Sequence, residues 1–374
     1  VKYYIIAGEA SGDLHGSNLM KELKKGDPEA EFRYWGGDLM QEQGGELVKH
    51  YRDLAFMGFI EVVMNLRTIL KNISICKEDI AQWQPDVVIL IDYPGFNLRI
   101  AEHVHKSGGK VFYYISPQVW AWKQSRVKKI KVHVDRMFVI LPFEKEFYQK
   151  WDFDVDFVGH PLLDAIENYK ENQLSFSEFA QQNQLDDRPV IALLPGSRRQ
   201  EIKKMLPIML SVTEQYPNYQ FVIAGAPSIP GEFYNEFLNS SVKVVAGNTY
   251  GLLQQSTAAL VTSGTATLET ALFGIPEVVC YKGSAISYQI AKRLVSIDYI
   301  SLVNLIMSKE VVKELIQGEL TTANLAQELD KLLKNEAHRS QVMADYQLLK
   351  QDLGGSGASA TTANLMLKTL ETYQ

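Results

Sequence analysis

The run Val190–Leu194 contains no polar residue and stops at Pro195-Gly196-Ser197, where Arg198, Arg199 and Glu201 open a helical pattern. A strand that is apolar along its whole length has to be covered on both faces, which indicates a parallel sheet flanked by helices. The turn that ends it has its own chemistry. A Gly-Ser turn at a helix start exposes backbone N–H groups, and the helix dipole and two adjacent arginines add positive charge. Such a turn suits a phosphate. An ordinary capped helix with exposed basic residues would read the same way.

The pattern recurs along the chain. Lys2–Ala7 runs into Gly8-Glu9-Ala10-Ser11-Gly12-Asp13 and a helix through Leu23, the opening of a nucleotide-fold unit that does not match G-x-G-x-x-G. Phe32–Trp35 ends in Gly36-Gly37. Asp86–Ile91 ends in Asp92-Tyr93-Pro94-Gly95-Phe96-Asn97, Lys110–Ile115 in Ser116-Pro117, and Arg136–Ile140 in Leu141-Pro142. Polar residues from Glu167 to Arg188 read as a linker and a short helix. A second array follows: Val190–Leu194, Gln220–Ala224, Val242–Val245, Ala258–Thr262 and Glu277–Tyr281. At 374 residues the chain is long for one core. Two α/β halves are expected, with a cleft between them for a large substrate. From Ser308 onward the pattern reads as helical. Gly354-Gly355-Ser356-Gly357 breaks it before a last helix, Ala360–Tyr373, that crosses back to the first half or joins a partner chain.

Bulk properties remove several function classes. A net charge of −6 argues against a general nucleic-acid binder. Cys76 and Cys280 have no partner spacing, so no disulfide framework or zinc site is expected and a reducing compartment is. The histidines form no H-x-x-x-H pair, and His103 and His105 fall on different helix faces, so no metal site is expected. Asp152-Phe153-Asp154 contains D-x-D, which strand alternation explains. No apolar run approaches the roughly 20 residues of a membrane span. Val1–Gly8 lacks signal-peptide organisation. The expected location is the cytoplasm, with room for contact at a membrane surface.

In doubly wound sheets, ligands sit beyond the carboxyl ends of the strands. Glu9, Asp92 and Ser116 then point to one crevice. Asp92 closes an apolar strand and reads either as a turn or capping residue or as a general base. In the second half, Ser263-Gly264-Thr265 starts another helix with free N–H groups and hydroxyls, and Glu269 lies one turn in, where a carboxylate can accept from ribose hydroxyls. Two such cradles suit a diphosphate joined to a nucleoside, hence a nucleotide sugar. His160 reads as a substrate contact or a turn residue. Asn304 is polar within an apolar run and needs partners if buried. The segment from Leu54 to Leu70, with Phe56, Met57, Phe59, Ile60 and Val63, is a core helix or an acyl-chain surface. Trp120, Trp122, Lys123, Arg126, Lys128, Lys129 and Lys131 set aromatics beside a basic cluster, as at a membrane interface or on a solvated helix face.

Taken together these residues resemble the lipid-A-disaccharide synthase family, inverting glycosyltransferases of the GT-B type. The matching segments are A-G-E-A-S-G-D (7–13), M-G-F-I-E-V (57–62), P-D-V-V-I-L-I-D-Y-P-G-F-N (85–97) and Y-I-S-P-Q-V-W-A-W (114–122). L-P-F-E-K-E-F-Y (141–148), V-G-H-P (158–161), L-L-P-G-S-R (193–198), S-G-T-A-T-L-E (263–269) and Y-I-S-L-V-N-L (299–305) complete the set. S-G-T-x-x-x-E is shared by many GT-B enzymes, whereas the Trp-Ala-Trp and Ile-Asp-Tyr-Pro segments are specific to this family. Gly95 departs from members that carry a second aspartate there, which leaves Asp92 as the acid of that segment.

The resemblance implies a GT-B α/β fold: two Rossmann-like, doubly wound domains facing a cleft, residues 1–166 for the acceptor and membrane side and residues 167–350 for the donor. Residues 358–374 would complete the first domain or swap with a partner in a homodimer. The implied reaction condenses UDP-2,3-diacylglucosamine with 2,3-diacylglucosamine 1-phosphate (lipid X) to lipid A disaccharide 1-phosphate and UDP. It is expected to need no metal or other cofactor and to run on the cytoplasmic surface of the inner membrane, with the protein bound peripherally. Asp92 is implied as the base and Arg198 as the leaving-group residue. Gly196, Ser197, Arg198, Ser263, Gly264, Thr265, Glu269 and Asn304 are implied at the donor, and Glu9, Ser11, Asp92 and Ser116 at the acceptor sugar. The aromatic, apolar and basic residues named above are implied at the membrane. Two other readings remain from sequence: another UDP-sugar GT-B enzyme, such as a UDP-N-acetylglucosamine epimerase or a peptidoglycan glycosyltransferase, and a non-catalytic, nucleotide-regulated protein that docks on membranes.

Overall fold

Parallel strands dominate the computed structural model, which describes residues 1–54, 66–121, 124–170, 174–239, 241–262, 264–283 and 298–373. The chain divides into two compact units, Val1–Asp164 with Leu353–Gln374, and Ala165–Asp352.

In the first unit the described strands are β1 (Lys2–Ala7), β2 (Glu31–Gly36), β3 (Glu46–His50), β4 (Val87–Ile91), β5 (Val111–Tyr114), β6 (Arg136–Val139) and β7 (Asp156–Phe157). They form one sheet in the order β3-β2-β1-β4-β5-β6-β7, every pair parallel. Successive residues of a strand face opposite sides. Tyr4, Ile6, Val88, Leu90 and Tyr113 therefore enter one apolar layer, while Tyr3, Ile5, Ile89, Ile91, Phe112 and Tyr114 enter the other. Both layers being dry is why β4 reads as an unbroken apolar run. Ala363, Met366 and Leu370 of the helix Ala358–Glu371 belong to the second layer, so the last helix crosses back onto the first unit of its own chain. The Asp164 carboxylate fixes the start of that helix, accepting from the Gly357 and Ser359 N–H groups at 2.5 and 3.1 Å.

The second unit holds β8 (Val190–Leu194), β9 (Gln220–Gly225), β10 (Val242–Ala246), β11 (Ser256–Thr262), β12 (Glu277–Tyr281) and β13 (Lys313–Ile316). These form a parallel sheet in the order β10-β9-β8-β11-β12-β13. In each unit the direction of winding reverses at the centre, between β1 and β4 and between β8 and β11. Such a switch point opens a crevice beyond the carboxyl ends of the two strands.

Two readings of the sequence need correction, and one strand is added to them. The region after Ser308 is not helical throughout, since Lys313–Ile316 forms β13. Glu46–His50 is an additional edge strand, β3. The alternation from Asp152 to Val158 yields only the two-residue β7, where Asp156 pairs with Arg136 of β6 at 2.5 Å. Most of the apolar segment after Leu54 lies outside the described residues. Leu54 itself is buried in the core, and Leu70 is 51% exposed.

Candidate functional site

At the switch point of the second unit lies a cleft of about 540 Å³ lined by both expected cradles, including Gly196, Ser197, Arg198, Gly264, Thr265 and Glu269. Gly196 has φ +108°, a backbone conformation that strains any other residue, and a Cβ there would sit 2.1 Å from Glu201 Oε2 and push that carboxylate aside. Gly264 caps the helix Thr265–Leu272 with φ +133°, and open space surrounds it. Arg198 is the N-cap of the helix Arg199–Leu210 and lines the cleft. Arg199 does not line it; its guanidinium lies 5.5 Å from the Phe233 ring centre. Ser263 lies outside the described residues. One expectation needs correction: the Ser197 N–H is not free, because it donates to Glu201 Oε2 at 3.3 Å. A diphosphate on this loop would displace a carboxylate. Glu269 is half-buried and accepts from the Tyr250 hydroxyl at 2.9 Å. Burial raises its affinity for a proton, and the Tyr250 hydroxyl opposes this.

At the switch point of the first unit, Ala7 pairs with Ile91, which sets Gly8-Glu9 beside Asp92. Asp92 and Tyr93 both adopt left-handed backbone, with φ +43° and +48°. This is an uncommon conformation for side-chain-bearing residues, and Asp tolerates it better than most. Neighbours hold the turn. The Asp92 carbonyl accepts from Asn97 Nδ2 at 2.8 Å and from the Tyr113 hydroxyl at 2.5 Å. Gly8 is required because a Cβ there would meet the Tyr93 ring at 2.4 Å. The helix Pro94–Lys106 has Tyr93 as its N-cap and no side-chain cap, so Asp92 is not spent on capping it. Burial, then the charge of Glu9, pushes the Asp92 carboxyl up from 3.8 to about 6, while the Tyr93 amide pulls it back. Two acids at a strand end, one poised near neutrality, can accept a proton at neutral pH. Ser11 is exposed on the first turn of the helix Ala10–Gly26. Asp13 is structural: its buried carboxylate accepts from the N–H groups of Gly37, Leu39 and Met40.

Several other expected site residues are buried and bonded within the fold. Ser116 is 6% exposed and its hydroxyl is bonded to Tyr148 Oη and the Pro117 carbonyl, at 2.7 and 3.0 Å. Beside it Glu144 is buried and caps its own helix, accepting from the Leu141 and Ile140 amides; burial pushes its carboxyl up to about 7. Trp120 is 8% exposed and packs edge-on against Phe143 at 4.9 Å. Asn304 is fully buried. It donates to Val312 O and Glu314 Oε1 and accepts from the Val311 and Val312 amides, which uses up its amide group away from the cleft. His160 is buried and accepts from the Leu162 N–H, as a turn residue does. Arg126 is half-buried, and Lys128 and Lys129 are exposed on the helix Val127–His133. Phe56, Met57, Phe59, Ile60, Val63, Trp122 and Lys123 lie outside the described residues. Among the described residues no cluster of three or more His, Cys, Asp or Glu could hold a metal ion, and no helix is long and apolar enough to cross a membrane.

Sequence reasoning missed Asn97, Tyr113, Glu201 and Tyr250. Asn97 closes the segment that contains Asp92 and Glu201 follows the Gly-Ser loop, so both had a local signal. Tyr113 and Tyr250 lie 21 and 19 residues from the acids they touch and had none.

A family model described as lipid-A-disaccharide synthetase matches residues 3–367. Proteins named lipid-A-disaccharide synthase are similar over nearly the whole chain. The one from Geobacter metallireducens is 40% identical, with 98% of this chain and 96% of that protein covered. The one from Syntrophus aciditrophicus is 40% identical (98% and 97% covered), and that from Coxiella burnetii 38% (97% and 96%). Among solved structures, UDP-GlcNAc 2-epimerase from Neisseria meningitidis bound to UDP-GlcNAc superposes with TM-score 0.67 at 14% identity, over all of both chains. The glycotransferase of kitacinnamycin gives TM-score 0.64 at 14% identity, over 98% of each chain. At that identity the likeness concerns the fold, two Rossmann-like units of the GT-B class.

Proposed function

The chain belongs to the lipid-A-disaccharide synthetase family and is a glycosyltransferase that forms the lipid A disaccharide; from that premise we propose which residues perform the reaction. The donor is UDP-2,3-diacylglucosamine and the acceptor is lipid X. The acceptor 6-hydroxyl attacks the anomeric carbon of the donor sugar. Asp92 takes the hydroxyl proton as the new C–O bond forms, and the bond from that carbon to the diphosphate oxygen breaks with inversion, releasing UDP. The observation that carries this reading is Asp92 itself: a carboxylate at a switch point, not used as a cap, with its proton affinity raised by burial and by Glu9.

In the second unit, Arg198 and the amides of Gly196-Ser197 and Gly264-Thr265 meet the charge that develops on the leaving diphosphate. Ser263 joins them by its place in the motif. Glu269 accepts from the ribose hydroxyls. Arginine and backbone donors supply the charge that a divalent cation supplies in metal-dependent transferases, so the reaction proceeds in chelator. Glu9 and Ser11 border the acceptor sugar. Relatives at 38–40% identity carry the synthase name, so the epimerase, peptidoglycan and non-catalytic readings are set aside.

We place the protein peripherally on the cytoplasmic face of the inner membrane. Exposed Lys128, Lys129 and Lys131 on one short helix suit anionic head groups. A homodimer through the C-terminal helices would use their outer faces, because Ala363, Met366 and Leu370 are already buried on the same chain; light scattering decides it. The test of the reaction is incubation with UDP-diacylglucosamine and lipid X in the presence of chelator. Disaccharide 1-phosphate and UDP should form in equal amounts. No product in either condition overturns the reaction, and product only without chelator overturns the metal-independent part.

A further inference from the structure

Glu269 does not stand alone in the donor cleft. The Tyr250 hydroxyl donates to its Oε1 at 2.9 Å, leaving Oε2 for another donor. Tyr250 is itself held on several sides. Its ring lies 5.0 Å from Phe273 and meets Tyr169 edge-on at 5.5 Å. The Tyr169 hydroxyl donates to Asn248 Oδ1 at 2.7 Å, and the same oxygen caps the helix Thr249–Gln254 by accepting from the Gly251 N–H at 2.9 Å. Asn248, Tyr250 and Tyr169 thus form one connected bracket, and the Tyr250 hydroxyl joins it to the cleft wall at Glu269. A glutamate has three side-chain torsions, and ordering it costs free energy that a ligand would otherwise have to supply. The bracket settles that orientation before a ligand arrives.

We propose that Tyr250 is the positioning residue for ribose selectivity: it holds Glu269 so that one carboxylate oxygen is presented to the sugar hydroxyls of the donor nucleotide. The proposal rests on the assignment of Glu269 to the ribose. A hydroxyl that donates to the ionised carboxylate also keeps that carboxylate an acceptor, as recognition of hydroxyl groups requires. Removing the hydroxyl frees the carboxylate to rotate and to take a proton, and either change weakens its grip on ribose while leaving the phosphate loops untouched.

The experiment is calorimetric titration of the full chain with UDP and with 2′,3′-dideoxy-UDP, which lacks both ribose hydroxyls, for the wild type, Tyr250→Phe and Glu269→Gln. Phenylalanine keeps the ring contacts with Phe273 and Tyr169. The wild type should prefer UDP by at least about tenfold, the size of one charge-assisted hydrogen bond. Tyr250→Phe should reduce that preference to threefold or less, with dideoxy-UDP affinity within about twofold of wild type and thermal unfolding little changed. Glu269→Gln should also collapse the preference. If Glu269→Gln collapses it and Tyr250→Phe does not, the positioning role is overturned and the ribose assignment stands. A wild type without preference, or a Glu269→Gln protein that keeps it, overturns the ribose assignment and the proposal with it. Equal loss of UDP and dideoxy-UDP affinity in Tyr250→Phe makes Tyr250 merely structural and also overturns the proposal.

Discussion

The Tyr113 hydroxyl donates to the main-chain carbonyl of Asp92 at 2.5 Å, across two neighbouring parallel strands. With Asn97 it holds a left-handed turn that would otherwise relax. The proposed base is therefore oriented through its backbone, and its carboxylate stays available for chemistry. Tyr113→Phe should lower kcat by about tenfold, the equivalent of one hydrogen bond, and leave UDP affinity unchanged. An unaltered kcat in steady-state assays would remove Tyr113 from the positioning of Asp92.

Glu9 should set the pH dependence. A base must be ionised to act, so kcat/KM should rise with pH through about 6 and level off above it. The Glu9 charge makes protonation of Asp92 easier, after burial the largest cause of the raised value. Glu9→Gln removes that charge and should move the limb to lower pH. A pH–rate profile checks both the limb and its direction of movement.

The same shift has a cost in stability. Asp92 binds its proton more tightly in the folded chain than at its ordinary 3.8. Below the ordinary value the charge costs nothing; as pH rises through about 6 the cost becomes complete and persists above. Asp92→Asn removes the charge and keeps a residue that tolerates the left-handed turn. It should unfold on the order of 1–3 kcal/mol later than wild type at neutral pH, with the gap closing near pH 4. Denaturant titrations at the two pH values measure this.

Glu201 occupies the loop where the diphosphate is placed, accepting from the Ser197 amide. Glu201→Gln removes a negative charge from an anion site and should tighten UDP binding by about three- to tenfold at low salt, with a smaller gain at high salt. Calorimetry at two ionic strengths tests this; weaker binding would show that Glu201 helps to build the loop.

Asp13 tests the structural part of the first motif. Its carboxylate accepts from three backbone N–H groups at 2.7–3.1 Å in a buried position. Asp13→Ala should cost about 2–4 kcal/mol, because buried donors are left without an acceptor. Urea denaturation measures the loss.

The two α/β halves and the loops at their central strand ends were legible because a central parallel strand announces itself as an apolar run that ends in a turn; the strand order that makes two of those ends switch points was not. Edge strands carry no such signature. In β3 the sequence Glu-Leu-Val-Lys-His is exposed or half-buried throughout, and β13 covers only Lys-Glu-Leu-Ile. The glycine loops were legible because φ +108° at Gly196 and the Tyr93 ring over Gly8 demand glycine at fixed places in the motif. What could not be read was the use of polar side chains by distant neighbours. Ser116 bonds to Tyr148, 32 residues away, and Trp120 packs on Phe143. In both cases composition pointed outward and the fold turned the group inward. Asn304 was recognised as needing partners, but the partners are its own loop and Glu314 rather than a ligand.

Asp92 as the base is tested most directly by single-turnover formation of disaccharide by Asp92→Asn, measured alongside UDP binding to the same protein. If Asp92 is the base, turnover falls by about a hundredfold or more, the range of general-base catalysis, with the UDP dissociation constant within about twofold of wild type. Turnover at the wild-type rate with UDP bound normally would contradict it and move the base elsewhere.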